Sequence, residues 1–337
     1  MQDRLLFVIS PPRAGSTLLQ RMLGSHSQVF TYPEPHLISP LAFLGYYDLV
    51  DKAPYDHINA AEAVKTFVAG LPKGEDDYLD ALRAYTDTLY GRMLEPTGKR
   101  YFLDKTPANA LVLPFLTKLY PRAHYIVLTR HPLAVASSYA NSFFDGDWHA
   151  ATHFNPIANR YVPAIARLLR EPPQHLLQVG YEQLVRAPSV ELAKLFAFLG
   201  LPNEPEAVHY GERFEPTRRG MGDPITVQDQ TRPVDTSIDK WIPELLNDPR
   251  KLELASEIVM ALDADDVRLW GFDKAELLLP VETARASGRD GQYVRPKSNN
   301  YIWQRRVMLA LKRDIRKRPH GRVLEKVRYY CNVLLRE

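Results

Sequence analysis

Three clusters in this 337-residue sequence combine residue types that can hold an anion and move a proton. The first is Ser10-Pro11-Pro12-Arg13-Ala14-Gly15-Ser16-Thr17, where a glycine, two hydroxyl residues and an arginine share one turn. Gly15 lets the backbone come close to a ligand, Ser16 and Thr17 add hydroxyl donors, and Arg13 adds a fixed charge with several N–H groups. Between a buried strand and a helix, the main-chain N–H groups of such a turn converge with the helix dipole on an anion. The second cluster is Thr129-Arg130-His131-Pro132, with Ser138 eight residues beyond Arg130. An arginine at the carboxyl end of a strand is placed for a phosphate. The third is Tyr32-Pro33-Glu34-Pro35-His36, which offers two bases, Glu34 and His36, within three residues.

The elements that must position these clusters follow from the apolar pattern. Leu5 to Ser10 is a short continuous apolar run closed by Pro11 and Pro12, which predicts a strand buried on both faces of a parallel sheet. From Ser16 the residues Leu18, Leu19, Met22 and Leu23 recur at helical spacing, with Gly24 near the stop. His124 to Thr129 reads as a second buried strand, after a helical segment beginning near Pro107, and Pro132 suits the first turn of the next helix. Leu176 to Val179 is a third strand, and helices are predicted over 37–50, 59–70, 77–95, 188–199 and 249–262. The first three make a helical insertion after the first βα unit. Segment 203–236, rich in Pro, Gly, Arg and Asp, is expected to be a functional loop. This alternation predicts an α/β fold with a central parallel sheet and helices on both faces.

Composition removes other classes. A hydrophobic content of 45% is ample for a core. No run of roughly 18 apolar residues suggests a membrane span, and the N-terminal apolar run is too short for a signal segment. Cys331 is the one cysteine, which excludes an internal disulfide and a cysteine cluster and suits a reducing, cytoplasmic setting. His131, His149, His153, His175 and His209 lack metal-ligand spacing, so no metal site is expected. The net charge of +3 hides an asymmetry: residues 285–337 carry fifteen Lys or Arg against four Asp or Glu, leaving 28 basic and 36 acidic residues before them. From Tyr301 to Leu335 the apolar spacing predicts two basic amphipathic helices broken at Pro319-His320-Gly321. Such a tail can dock peripherally to an anionic membrane or to an acidic carrier protein, or it can lay its apolar stripe on the acidic body. No nucleic-acid motif accompanies the charge, and no nucleic-acid partner is expected.

The string Pro11 to Leu19, PPRAGSTLL, closely resembles the 5'-phosphosulfate-binding loop of sulfotransferases that use 3'-phosphoadenosine 5'-phosphosulfate (PAPS). An ATP-binding loop would read GxxxxGKS/T, and its first glycine and its lysine are both missing. The spacing from Arg130 to Ser138 resembles the 3'-phosphate motif of the same family. Asp104-Lys105-Thr106-Pro107 resembles its lysine segment, and Tyr181-Glu182-Gln183-Leu184 the adenine-side segment of tyrosylprotein sulfotransferases. Asp229-Gln230, Pro233-Val234 and Lys240-Trp241 are similar to the late segment that closes over the nucleotide. The resemblance spans about Leu5 to Trp241. It implies a P-loop-like three-layer α/β/α fold, with a sulfotransferase domain over 1–280 and a basic helical C-terminal extension over 281–337. It also implies that Pro12, Arg13, Ala14, Gly15, Ser16, Thr17, Arg130, Ser138, Tyr181, Lys240 and Trp241 hold PAPS and its product 3'-phosphoadenosine 5'-phosphate (PAP), without a metal.

Sulfuryl transfer needs the acceptor hydroxyl to lose its proton, the leaving oxygen to be neutralised and both partners to be held in line. The resemblance places Lys105 near the bridging oxygen, with Arg13 adding electrostatic stabilisation. Glu34, 21 residues beyond Arg13, resembles in its placement the catalytic glutamate of tyrosylprotein sulfotransferases. Cytosolic small-molecule enzymes of the family place a base histidine two residues after the lysine, where this sequence has Pro107. His36 stands as a partner of Glu34 or an alternative base. Without an anchor or disulfide capacity, the expected acceptor is a small-molecule, lipid or carrier-linked hydroxyl in preference to a protein tyrosine, in a pocket shaped by 37–95 and 203–236. Two other readings are a phosphotransferase of the ATP-binding-loop type and a non-catalytic membrane- or carrier-binding protein that works through its tail.

Overall fold

The computed structural model describes residues 1–48, 57–213 and 231–287, together with Val323 and Val327. Its centre is a five-stranded parallel sheet of β1 (Leu5–Ile9), β2 (Val29–Pro33), β3 (Tyr101–Lys105), β4 (His124–Thr129) and β5 (Leu176–Gly180), in the order β2-β3-β1-β4-β5. β1 lies in the middle and all five of its residues are buried. That is the burial a continuous apolar run produces when both faces of a sheet are covered.

Helices cover both faces. α1 (Ser16–Gly24) follows β1, and α2 (Ile38–Ala42), α3 (His57–Ala69) and α4 (Glu75–Leu94) separate β2 from β3. A 3-10 turn over Pro107–Leu111 leads from β3 into α5 (Leu113–Leu119). Between β4 and β5 run α6 (Pro132–Phe143), α7 (Trp148–Phe154) and α8 (Ile157–Arg170). After β5 come α9 (Tyr181–Arg186), α10 (Pro188–Phe198) and α11 (Tyr210–Arg213), then α12 (Ile242–Asn247), α13 (Pro249–Ala261), α14 (Ala264–Trp270) and α15 (Lys274–Ala286).

The alternation of side chains along β1 divides the core in two. Leu5, Phe7 and Ile9 join Phe102, Tyr125 and Val127 beneath α5, α6, α8 and α13. Leu6 and Val8 join Leu103, Ile126 and Leu128 beneath α1, α9 and α10. Full burial of one such side chain stabilises the fold by about 1.5–3 kcal/mol. The split has a consequence at the carboxyl edge: the chain leaves β1 towards one face as α1 and leaves the adjacent β4 towards the other as α6. Two neighbouring connections that diverge in this way open a crevice between them, which is where ligands of open α/β sheets bind.

The three expected strands are present, and β2 and β3 are additional. The helix expected over 37–50 is shorter and ends at Ala42. Beyond it the backbone turns, with the Asp48 N–H donating to the Ala42 carbonyl and Gly45 at φ +100°, a conformation that favours glycine. α3 and α4 match the other two insertion helices closely, while α7, α8, α14 and α15 lie in stretches for which no helix was expected. α15 continues through residue 281 and packs Leu277, Val281 and Ala284 into the core. The expected tail helices and Cys331 lie outside the described residues, except that Val323 and Val327 are helical and exposed.

Candidate active site

The turn after β1 bends sharply so that α1 can begin at Ser16. Arg13 has φ +70° and Gly15 φ +95°, and Gly15 is the residue that caps α1. An arginine in the left-handed region costs roughly 1–2 kcal/mol, so the turn is over-determined by its surroundings. Gly15 has a second constraint: a Cβ there would lie 2.3 Å from the Tyr181 ring, the first residue of α9. Ala14 and Ser16 are buried, whereas Pro12 and Thr17 are half-buried. The Arg13 Nε donates to Ser138 Oγ at 3.3 Å, and its guanidinium lies 6.0 Å from the Phe143 ring centroid, both on α6.

At the end of β4, Arg130 locks onto the same turn. Its Nη1 donates to the Arg13 carbonyl at 3.0 Å, its Nη2 donates to the Ser237 carbonyl at 2.7 Å, and its guanidinium stacks 4.2 Å over the Tyr181 ring. Its own carbonyl accepts from Trp270 Nε1 at 2.9 Å. His131 caps α6 through Nδ1, which accepts from the Leu133 N–H, and its ring stacks on Trp241 with centroids 4.4 Å apart. Burial and the neighbouring Arg130 charge push the His131 pKa down to about 3, so the ring is neutral and acts as a wall. A cavity of about 270 Å3 lies between these elements. Arg13 and Gly15 to Leu18 line it from the turn, Arg130, Ser137, Ser138, Asn141 and Ser142 from β4 and α6, and Tyr181, Val234, Ser237, Lys240 and Trp241 from the far side.

On the other side of β1, the ends of β2 and β3 bring Glu34 and Lys105 together. The register pairs Pro33 with Lys105, so the residue after β2 arrives beside the lysine. Lys105 Nζ donates to Glu34 Oε1 in an ion pair, with Lys105 1% exposed and Glu34 19%. Glu34 Oε2 lies 3.7 Å from His36 Nε2, and His36 is about half exposed. Both Glu34 and His36 have positive φ, +29° and +51°, which turns the chain sharply at this point. β2 is held by the Gln20 side chain, whose Nε2 donates to Thr31 Oγ1 at 2.7 Å and to the Tyr32 carbonyl at 3.2 Å. Asp104 is fully buried one residue before the lysine; burial pushes its carboxyl pKa up, while donation from Tyr90 Oη and Thr106 Oγ1 works against that shift.

The sequence pattern of the sulfotransferase family matches residues 6–205, which takes in all five strands but for Leu5, the first residue of β1, and the turns that follow them. The chain belongs to the sulfotransferase family. Among its relatives, the nodulation protein NoeE of Sinorhizobium fredii is 30% identical over 218 residues, covering 58% of this chain and 50% of that protein. Protein-tyrosine sulfotransferase 1 of Danio rerio is 26% identical over 212 residues, covering 62% of this chain and 56% of that one. This sulfotransferase chain therefore spans about half the length of the curated relatives it matches. The sulfotransferase domain from the curacin biosynthetic pathway superposes with a TM-score of 0.51 at 25% identity, over 75% of this chain and 96% of that domain.

The sequence-derived site residues thus fall into two groups on the sulfotransferase sheet. Arg13, Gly15, Ser16, Thr17, Arg130, Ser138, Tyr181, Lys240 and Trp241 share the cavity, with Pro12 and Ala14 in its turn. Glu34, Lys105 and His36 gather at the ends of β2 and β3. Asp229 and Gln230 lie outside the described residues. Sequence reasoning missed Ser137, Asn141 and Ser142; their signal is a set of small polar residues at helical spacing around Ser138 in an otherwise apolar helix. Ser237, in a segment without periodicity, carried no such signal, whereas Val234 belongs to the late segment noted with Lys240 and Trp241. Among the described residues no group of three or more His, Cys, Asp or Glu could hold a metal ion, and no helix is long and apolar enough to cross a membrane.

Proposed function

We propose that the chain is a PAPS-dependent O-sulfotransferase acting on a small-molecule, lipid or carrier-linked hydroxyl, with Glu34 as the general base. The observation that carries this is the order of side chains along the carboxyl edge of the sheet. Following the strands β2-β3-β1-β4-β5, the chain presents Glu34, Lys105, the Pro11–Thr17 turn, Arg130 and Tyr181. Base, lysine, anion cradle, phosphate-binding arginine and flat aromatic surface stand in the sequence in which acceptor, sulfuryl group, 5'-phosphate, 3'-phosphate and adenine would have to lie.

The residues present fit the donor. Arg13, the N–H groups opening α1, Arg130, Ser138 and Lys240 match a nucleotide with phosphates at both ends, and Tyr181 and Trp241 offer apolar surface for a base. Gly15 lets the Tyr181 ring pack directly on the turn, in space that any Cβ would take. The donor supplies an SO3 unit joined to phosphate through one S–O bond. Glu34 accepts the proton of the acceptor hydroxyl as its oxygen forms the new bond to sulfur. The bond to the leaving oxygen breaks and its electron pair stays on the 5'-phosphate, where Lys105, Arg13 and the turn N–H groups oppose the added charge. Lys105 is also paired with Glu34, so a single ammonium serves both partners.

The acceptor class rests on chemistry and kinship together. The related domain from the curacin biosynthetic pathway favours a biosynthetic acceptor, and the fifteen basic residues of 285–337 suit an anionic carrier or membrane surface that presents one. Calorimetric titration tests the donor: PAP is expected to bind at least tenfold more tightly than ATP with Mg2+. A preference for ATP with Mg2+ would replace this reading with a phosphotransferase.

A further inference from the structure

Glu244 is charged and four-fifths buried, and it does not line the cavity. It is the third residue of α12, the helix that begins directly after Lys240 and Trp241. Its Oε1 accepts from Ser137 Oγ at 2.6 Å and from Asn141 Nδ2 at 2.8 Å, both on α6. Its Oε2 accepts from Trp148 Nε1 on α7 at 3.0 Å and from Lys251 Nζ on α13 at 2.6 Å. Four donors from three helices use all the strong acceptor sites of one carboxylate. Burial pushes its pKa up, but hydrogen bonds from Lys251 and Ser137, the Lys251 charge and a bond from Asn141 outweigh this and leave it below the usual range.

Ser137 and Asn141 are one helical turn apart, and they flank Ser138, which accepts from Arg13. The carboxylate therefore fixes the rotation of α6 about its axis and ties that helix to the segment carrying Lys240 and Trp241. We propose that Glu244 is the positioning residue of the 3'-phosphate subsite, holding Ser138 and Lys240 on opposite walls of the cavity at the separation a 3'-phosphate requires. This rests on the donor assignment made above. The phosphosulfate turn and Tyr181 make none of these four bonds, and the turn meets α6 here only through the Arg13–Ser138 bond, so the effect of Glu244 falls mainly on one end of the nucleotide.

The test compares PAP with adenosine 5'-phosphate, which lacks the 3'-phosphate, by calorimetry on wild type, Glu244→Gln and Trp148→Phe. A carboxamide keeps one oxygen for the donor-only Trp148 and Lys251 but turns a donor-only NH2 towards Ser137 and Asn141, whose hydroxyl and amide must reverse their roles or lose the bond, so the hold of α12 on α6 weakens. Glu244→Gln is expected to weaken PAP about tenfold and adenosine 5'-phosphate less than twofold, and Trp148→Phe to weaken PAP about threefold with the same selectivity. Equal loss for both nucleotides, or no loss for either, would overturn the proposal and leave Glu244 a general structural residue. If Glu244→Gln does not fold, Trp148→Phe decides by the same criterion. Failure of wild type to bind PAP in this titration would instead defeat the donor assignment, and the proposal with it.

Discussion

The two sides of β1 hold their cations in different ways. Towards β4 and β5, Arg130 donates to main-chain carbonyls of Arg13 and Ser237, Arg13 donates to the Ser138 hydroxyl, and the Tyr181 ring supports the stack. These bonds fix the guanidinium groups through uncharged acceptors. Towards β2 and β3, Lys105 is paired with a carboxylate and almost fully buried. A bond to a carbonyl or hydroxyl orients a cation, whereas a carboxylate partner must share its charge or be displaced before the cation can serve another anion. On the proposed reading, the first side binds the donor and the second changes partner during reaction.

Substitution can break that contrast most directly at Lys105. Lys105→Ala is expected to lower kcat by about 10^3-fold while changing PAP affinity less than threefold. Single-turnover transfer beside calorimetry checks this, and a parallel loss of affinity would merge the two sides into one. Gly15→Ala should do the reverse. A side chain at φ +95° facing the Tyr181 ring at 2.3 Å displaces the turn, with about 100-fold weaker PAP binding and a stability loss of about 1–3 kcal/mol in urea unfolding.

The smallest effect sharpens the contrast through pH. His131 has a folded pKa of about 3 against an ordinary 6.5, so between those values the unfolded chain takes up a proton that the folded chain refuses. Its contribution is complete above pH 6.5 and is lost as pH falls from there towards 3, by at most about 1.4 kcal/mol per pH unit. His131→Phe keeps an aromatic ring against Trp241 and should flatten the fall in stability between pH 7 and 5, read by urea unfolding across that range. An unchanged slope would show that the ring titrates freely and that the donor-side wall is looser than its packing implies.

Legibility in the sequence followed the same division. β1 and β4 are covered on both faces, so their apolar runs are unbroken and the turns after them stand out. β3 is equally buried but ends in Asp104 and Lys105, charges that sequence patterns assign to a surface. They are buried because Tyr90, Thr106 and Glu34 meet them, and those partners are set by folding. β2 is an edge strand whose burial is partial, so its pattern is weak. The requirement for glycine at position 15 shows half of itself locally, as a turn before a helix. The other half is Tyr181, which reaches it only once β5 is in place.

The Glu34–Lys105 pair also bears on the order of events in turnover. On the proposed reading, an acceptor that arrives first meets a carboxylate already paired with Lys105. A donor that arrives first brings competing negative charge to the ammonium and frees the carboxylate to act. The pair thus favours a compulsory-order kinetic scheme with the nucleotide leading. It also means that the acceptor is activated only once a sulfuryl group is present for it to receive.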